Sequence, residues 1–134
     1  MRTLALGVLG LFVACDPAAI ANFDVHPQPG RLNIDSSFVL EASRLGREFA
    51  QRHQLASRPR SDCPSGAYYA DDTARGRPVG LNFCLTRIDK EFRFSVVEII
   101  TSKWGPKGAA LRDELEDTLT ARYGAAVRAD ITRR

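Results

Sequence analysis

The sequence predicts an α+β fold, a two-layer sandwich in which two amphipathic helices cover one face of an antiparallel sheet of about four strands. Two segments repeat apolar residues at helical spacing, and other segments alternate apolar with polar residues. Elements with one apolar face bury that face against each other, which gives two layers. The expected order is helix, three strands, helix and strand, or α-β-β-β-α-β.

The first helix is expected to begin near Asp35, because Asp35, Ser36 or Ser37 can accept the free amide hydrogens of a helix start. Its apolar face repeats at steps of four, three and four residues and consists of Phe38, Ala42, Leu45 and Phe49. The helix is predicted to run to about Leu55, and the polar segment 57–62, which contains a proline, follows it as a break.

Three strands are expected in segments 66–70, 80–87 and 91–101. Apolar and polar residues alternate in the second segment and in the first half of the third. A two-residue turn at Asp89-Lys90 would place Leu85 opposite Phe94. The same register would place Phe83 opposite Val96. All large apolar side chains of the hairpin then share one face.

The second helix is expected to start at Trp104-Gly105-Pro106, because proline suits the first turn of a helix. Its apolar face consists of Leu111, Leu115, Leu119 and Tyr123. Gly124 is placed to end the helix in a left-handed conformation. The alternating segment 127–132 is predicted as the last strand.

The N-terminal segment has the pattern of a secretory signal peptide. Arg2 precedes an uncharged apolar stretch from Leu4 to Ala14, and a membrane-spanning helix would need about 20 residues. The alternative of a buried N-terminal helix is disfavoured by Gly7 and Gly10, each of which costs about 1 kcal/mol in a helix interior. We therefore expect export.

Two processing sites remain open. Leu11-Phe12-Val13-Ala14-Cys15 resembles the lipobox of bacterial lipoproteins, with Phe12 where that family usually has leucine. The resemblance implies removal of residues 1–14, acylation of Cys15 and attachment to the periplasmic side of a membrane. Ala19-Ile20-Ala21 resembles an ordinary A-x-A cleavage site, which would remove residues 1–21 and release a soluble periplasmic or secreted protein.

Segment 15–33 is expected to be a tether or an irregular lead-in to a single domain over residues 34–134, since Pro27, Pro29 and Gly30 interrupt regular structure there. Within it, Ile20 to Val25 could instead form a short edge strand. A ferredoxin-like topology would then be the outcome.

Three cysteines are an odd number for an exported chain. If Cys15 is acylated or removed, Cys63 and Cys84 are left as one pair, and we expect them to form a disulfide. A zinc site is disfavoured, because His26 and His53 do not stand at ligand spacing from these cysteines. We expect no metal and no cofactor.

No catalytic motif is recognisable. His53 is interpreted as a solvated surface residue and Asp71-Asp72 as part of a hydrophilic hairpin loop. The net charge of +3 is too small for a dedicated nucleic-acid binder. A small exported hydrolase with unidentified residues stays as an alternative function.

Two groups of residues have the character of an interaction surface. A basic patch, which would meet anionic lipid or an acidic partner unless its members are scattered solubilising charges, consists of Arg58, Arg60, Arg75 and Arg77. The aromatic candidates are Tyr68, Tyr69 and Trp104. Tyr68 and Tyr69 are adjacent in a strand and must point to opposite faces. The sequence thus predicts a non-catalytic envelope lipoprotein that binds another envelope component, without nucleic acid.

Overall fold

A computed structural model describes residues 18–59, 63, 66–71, 78–86, 90–99 and 103–132. Within these residues the chain is an α+β fold, with two helices and one open antiparallel sheet of six strands. The strands are β1 Ala19–Val25, β2 Ala56–Arg58, β3 Ala67–Ala70, β4 Val79–Leu85, β5 Phe92–Glu98 and β6 Val127–Ile131. The helices are α1 Ser36–Arg52 and α2 Pro106–Tyr123. No helix in this part of the chain is long and apolar enough to cross a membrane.

The strands lie in the order β2-β3-β4-β5-β1-β6, which corrects the predicted number of strands and their order. The largest correction concerns residues 19–25, which belong to the sheet and not to a tether. Strand β1 pairs with β5 on one side and with β6 on the other, so it is an interior strand and not an edge strand. Its alternate residues Ala19, Ala21, Phe23 and Val25 are buried beneath the helices.

Residues 56–58 form β2, where the sequence indicates a polar break. The three residues pair with β3 at the edge of the sheet, with Ala56 opposite Ala70 and Arg58 opposite Tyr68. Backbone pairing at an edge needs no apolar side chains, so the side-chain pattern carries no signal for this strand.

The predicted register of the β4–β5 hairpin is wrong by two residues. Leu85 lies opposite Phe92, and Phe83 lies opposite Phe94. Where the two strands end, the Thr86 amide donates to the Glu91 carbonyl oxygen at 2.8 Å, which continues the observed register. A shift of two residues leaves every side chain on its original face, so the predicted apolar face is correct.

Both helix starts are confirmed. The Asp35 carboxylate accepts a hydrogen bond from the Phe38 amide at 2.9 Å, and Pro106 occupies the first turn of α2. Gly124, at φ +56°, ends α2 in the left-handed region that glycine tolerates. The helices run antiparallel on one face of the sheet, since the Phe38 and Tyr123 rings meet at 5.3 Å near the start of α1 and the end of α2.

Candidate functional site

The start of β1 lies only four positions after Cys15 in the chain. Ala19 lies opposite Glu98 of β5, and the carbonyl oxygen of Ile20 accepts a hydrogen bond from the Thr132 amide at 2.8 Å. The side chains of Ala19 and Ala21 are buried. The first residues of β1 are therefore held on both sides and packed into the core.

The strand ends at the start of β1 form one end of the sheet. We call it the Trp104 end and define it by Ala19, Val79, Glu98, Trp104 and Thr132. Pairing aligns Ala19, Glu98 and Val79 across three strands. The Trp104 indole N–H donates to the Thr132 carbonyl oxygen at 3.1 Å. The tryptophan thus closes this end of the sheet with its polar atom satisfied and its ring half-buried.

Glu98 is a buried acid at the N-terminus of α2. Its side chain is 2% exposed, and its Oε2 accepts a hydrogen bond from the Gly105 amide at 2.8 Å. A Cβ on Gly108 would lie 2.2 Å from that oxygen, so the glycine leaves the space that the carboxylate occupies. A negative charge here is favourable at the N-terminus of α2, where Gly105 has no side chain to cap the helix.

Asp71 corrects a second sequence interpretation, because it is buried and not part of a solvated loop. Its amide donates to the Val79 carbonyl oxygen at 3.0 Å, and its carboxylate pairs with the Lys107 ammonium group. The pair ties the end of β3 to the first turn of α2. Asp72 lies outside the described residues.

The two adjacent tyrosines point to opposite faces of β3, as predicted. Tyr69 is buried in the core, with its ring stacked on Phe83 at 6.1 Å. Tyr68 lies on the face away from the helices, where a Cβ on Gly80 would come within 2.7 Å of its ring. Of the three aromatic candidates, Tyr68 and Trp104 therefore keep part of their surface outside the core.

The face of the sheet opposite the helices carries polar side chains in transverse rows. One row consists of Asn82, Ser95, Asn22 and Asp130, and the next consists of Cys84, Arg93, Asp24 and Arg128. Ser95 donates to Asn22 at 2.6 Å, and Arg93 binds Asp24 through two hydrogen bonds of 2.7 and 3.0 Å. The bonds to Asp24 raise the pKa of Arg93 above its ordinary value. Much of this polar face is satisfied by its own contacts.

The predicted disulfide is present between Cys63 and Cys84, whose Cα atoms lie 6.2 Å apart. It joins the segment before β3 to the end of β4. Of the predicted basic patch, Arg58 lies in β2 and donates to the Ser57 carbonyl oxygen at 3.0 Å. Cys15 and the other three arginines, Arg60, Arg75 and Arg77, lie outside the described residues, so the patch stays a prediction.

His53 is not the solvated residue that the sequence indicates. Its side chain is 24% exposed, and its ring packs against Phe49 at 4.6 Å. Its Nε2 lies 2.8 Å from the Glu114 carboxylate, at ion-pair distance but without the direction of a hydrogen bond. His26 contacts Glu91 at 2.6 Å in a different part of the fold. No group of three His, Cys, Asp or Glu residues suited to a metal occurs in the described ranges.

An apolar groove lies at the start of α1, a feature that the sequence interpretation missed. Its volume is about 640 Å³, and its lining consists of Ile34, Asp35, Ser36, Val39, Leu40 and Leu85. Leu40 is 70% exposed. The position of Leu40 in the sequence could have indicated this groove, because Leu40 lies outside the apolar face of α1 and is therefore exposed. We call this region the Leu40 end and define it by the groove residues together with Leu85, Phe92 and Val25. These three residues are aligned across neighbouring strands at the end of the sheet opposite the Trp104 end.

No protein-family model, curated protein or solved structure matches the chain.

Proposed function

We propose that this protein is a non-catalytic lipoprotein of the bacterial cell envelope. In this proposal Cys15 is acylated and holds the domain on the periplasmic side of a membrane, and the domain binds another envelope component. The observation that carries the proposal is the interior position of β1.

The position of β1 favours Cys15 over Ala21 as the processing site. Cleavage after Ala21 would remove three of the seven residues of an interior strand, including the buried side chains of Ala19 and Ala21. It would also remove the carbonyl group of Ile20 that accepts the Thr132 amide. Processing at Cys15 leaves β1 complete, which supports the lipid-anchored form over the soluble one.

The core has the strand order of a ferredoxin-like fold. Strands β4, β5, β1 and β6 are neighbours in that order, and α1 and α2 each connect one strand to a non-adjacent strand. In this interpretation the hairpin of β2 and β3 is an insertion after α1 that widens the sheet. Because such folds serve many functions, the topology does not select a partner.

The Leu40 end is the surface that we assign to the partner. It lies at the end of the sheet opposite the start of β1. An anchor at Cys15 therefore leaves it directed away from the bilayer. The groove combines an apolar lining with the exposed Leu40 side chain. Exposed apolar surface next to a concave site is typical of protein interaction sites.

The anchor is tested by the intact mass of the mature protein purified from membranes of a producing bacterium. The expected species begins at Cys15 and carries acyl chains, and Cys15→Ser abolishes both the modification and the recovery in membranes. An unmodified species that begins at Asn22 would contradict the proposal.

The partner surface is tested by chemical cross-linking in intact cells. Leu40→Lys is expected to abolish a specific cross-linked species, because it places a charge in the apolar groove. Arg47→Ala is the matched control, since Arg47 is exposed on the same helix but does not line the groove. Equal yields from the two variants would remove Leu40 from the binding surface.

A further inference from the structure

The proposed lipid anchor leaves very little chain between the membrane and the sheet. Cys15 and Ala19 are four positions apart, so their Cα atoms can be separated by at most about 14 Å. Ala19 is fixed in β1 beside Glu98. An acylated Cys15 would therefore hold the Trp104 end of the sheet close to the lipid headgroups.

Two exposed lysines lie at this end of the sheet. Lys103 is exposed, and Lys107 is 49% exposed although its ammonium group pairs with the buried Asp71. The neighbouring acid Glu98 is buried and accepts a hydrogen bond from the Gly105 amide. Lysine side chains can extend their ammonium groups towards anionic headgroups while their stems lie along the protein. Both lysines can therefore contact anionic headgroups, Lys107 while it stays paired with Asp71.

Trp104 gives the same end a residue suited to the membrane interface. Its ring is half-buried, its indole N–H is bonded to Thr132, and the Arg112 guanidinium lies 5.1 Å from the ring centroid. Tryptophan is enriched where protein meets headgroups, because its ring is apolar and its N–H is polar. Tether length, charge and aromatic character converge on one surface.

We propose that the Trp104 end contacts the surface of a bilayer containing anionic phospholipids, through Lys103, Trp104 and Lys107. This inference rests on the proposed acylation of Cys15 and adds the orientation of the domain. In this orientation the strands extend from the membrane surface outwards. The Leu40 end lies about 20 Å farther out, since the seven residues of β1 are separated by six steps of about 3.4 Å.

Trp104 is the single tryptophan of the chain, so its fluorescence reports on this end alone. The acylated protein is reconstituted into vesicles of anionic phospholipid with brominated or unbrominated acyl chains. We expect brominated lipid to quench Trp104. The control is the double variant Trp104→Phe and Leu40→Trp, which moves the tryptophan to the opposite end and is expected to lose no fluorescence.

Two further variants test the charge and the tether. Lys103→Glu is expected to reduce quenching in anionic vesicles, whereas Lys90→Glu, an equal charge change at the Leu40 end, is expected to leave it unchanged. A 12-residue Gly-Ser insertion after Pro17 adds about 19 Å of root-mean-square reach and is expected to abolish quenching.

The outcomes separate this inference from the proposed function. A protein that carries no acyl chains and does not float with the vesicles would overturn the anchor itself. A protein that floats with the vesicles but shows equal quenching of Trp104 and of the tryptophan at position 40 would overturn the orientation. Equal quenching of Lys103→Glu and Lys90→Glu would remove the role of the anionic headgroups.

Discussion

Truncation at the alternative processing site tests whether the first residues of β1 are part of the folded domain. The comparison uses three chains that begin at Asp16, at Ala18 and at Asn22. The first two keep β1 complete, and the third lacks Ala19, Ile20 and Ala21. The chain beginning at Ala18 is the control for shortening the N-terminus without touching the strand.

The expected loss of stability follows from what these three residues contribute. They carry three N–H and three C=O groups in an interior strand, and about four ladder hydrogen bonds at about 1 kcal/mol each give about 4 kcal/mol. Lost burial of two methyl groups and of the half-buried Ile20 adds about 2–3 kcal/mol. Ordering three residues costs about 1–2 kcal/mol each, which offsets most of this sum. The net loss is about 2 kcal/mol.

Thermal unfolding followed by Trp104 fluorescence measures this difference. In a domain of this size about 2 kcal/mol corresponds to a fall of about 8 °C in Tm. The chains beginning at Asp16 and Ala18 are expected to melt together. If the chain beginning at Asn22 also melts with them, the start of β1 contributes nothing and the structural case against cleavage after Ala21 is lost.

Three further predictions concern stability. Replacing Cys63 and Cys84 with serine is expected to lower the free energy of unfolding by about 3 kcal/mol, measured by urea titration, because the unfolded chain loses a cross-link; titratable thiols in the unreduced native protein would contradict it. Gly46→Ala is expected to lower the free energy of unfolding by about 1–2 kcal/mol in the same assay, because the new Cβ would lie 2.4 Å from the Phe83 ring. Overpacking of about 1–3 kcal/mol outweighs the gain in helix propensity. A more stable variant would show that the ring moves freely. Burial raises the pKa of Tyr123 against the opposing charge of the neighbouring arginine, so the folded state holds this proton more tightly and stability should fall as the pH rises above about 10. Tyr123→Phe should remove that component of the alkaline loss in unfolding titrations, and an unchanged alkaline slope would exclude the residue as its source.

The predictions that His53 and Asp71 are solvated were wrong for the same physical reason. His53 follows the last turn of α1, and Asp71 follows β3, so both stand at element ends where polar residues are usually solvated. Their charged partners are Glu114 and Lys107, which belong to α2. A partner 61 or 36 positions away leaves no mark in the local pattern.

Local sequence was sufficient to predict the apolar faces of both helices and of the β4–β5 hairpin, where both helices begin and which cysteines pair. These properties repeat with the period of an element or follow from local chemistry, as with Asp35 before α1 and Pro106 in α2. The three-dimensional fold was needed to show that β1 lies between β5 and β6, that β2 joins the sheet edge and that the β4–β5 register is shifted by two residues. Strands pair through backbone groups that all residues share, so side chains specify the buried face but not the neighbouring strand.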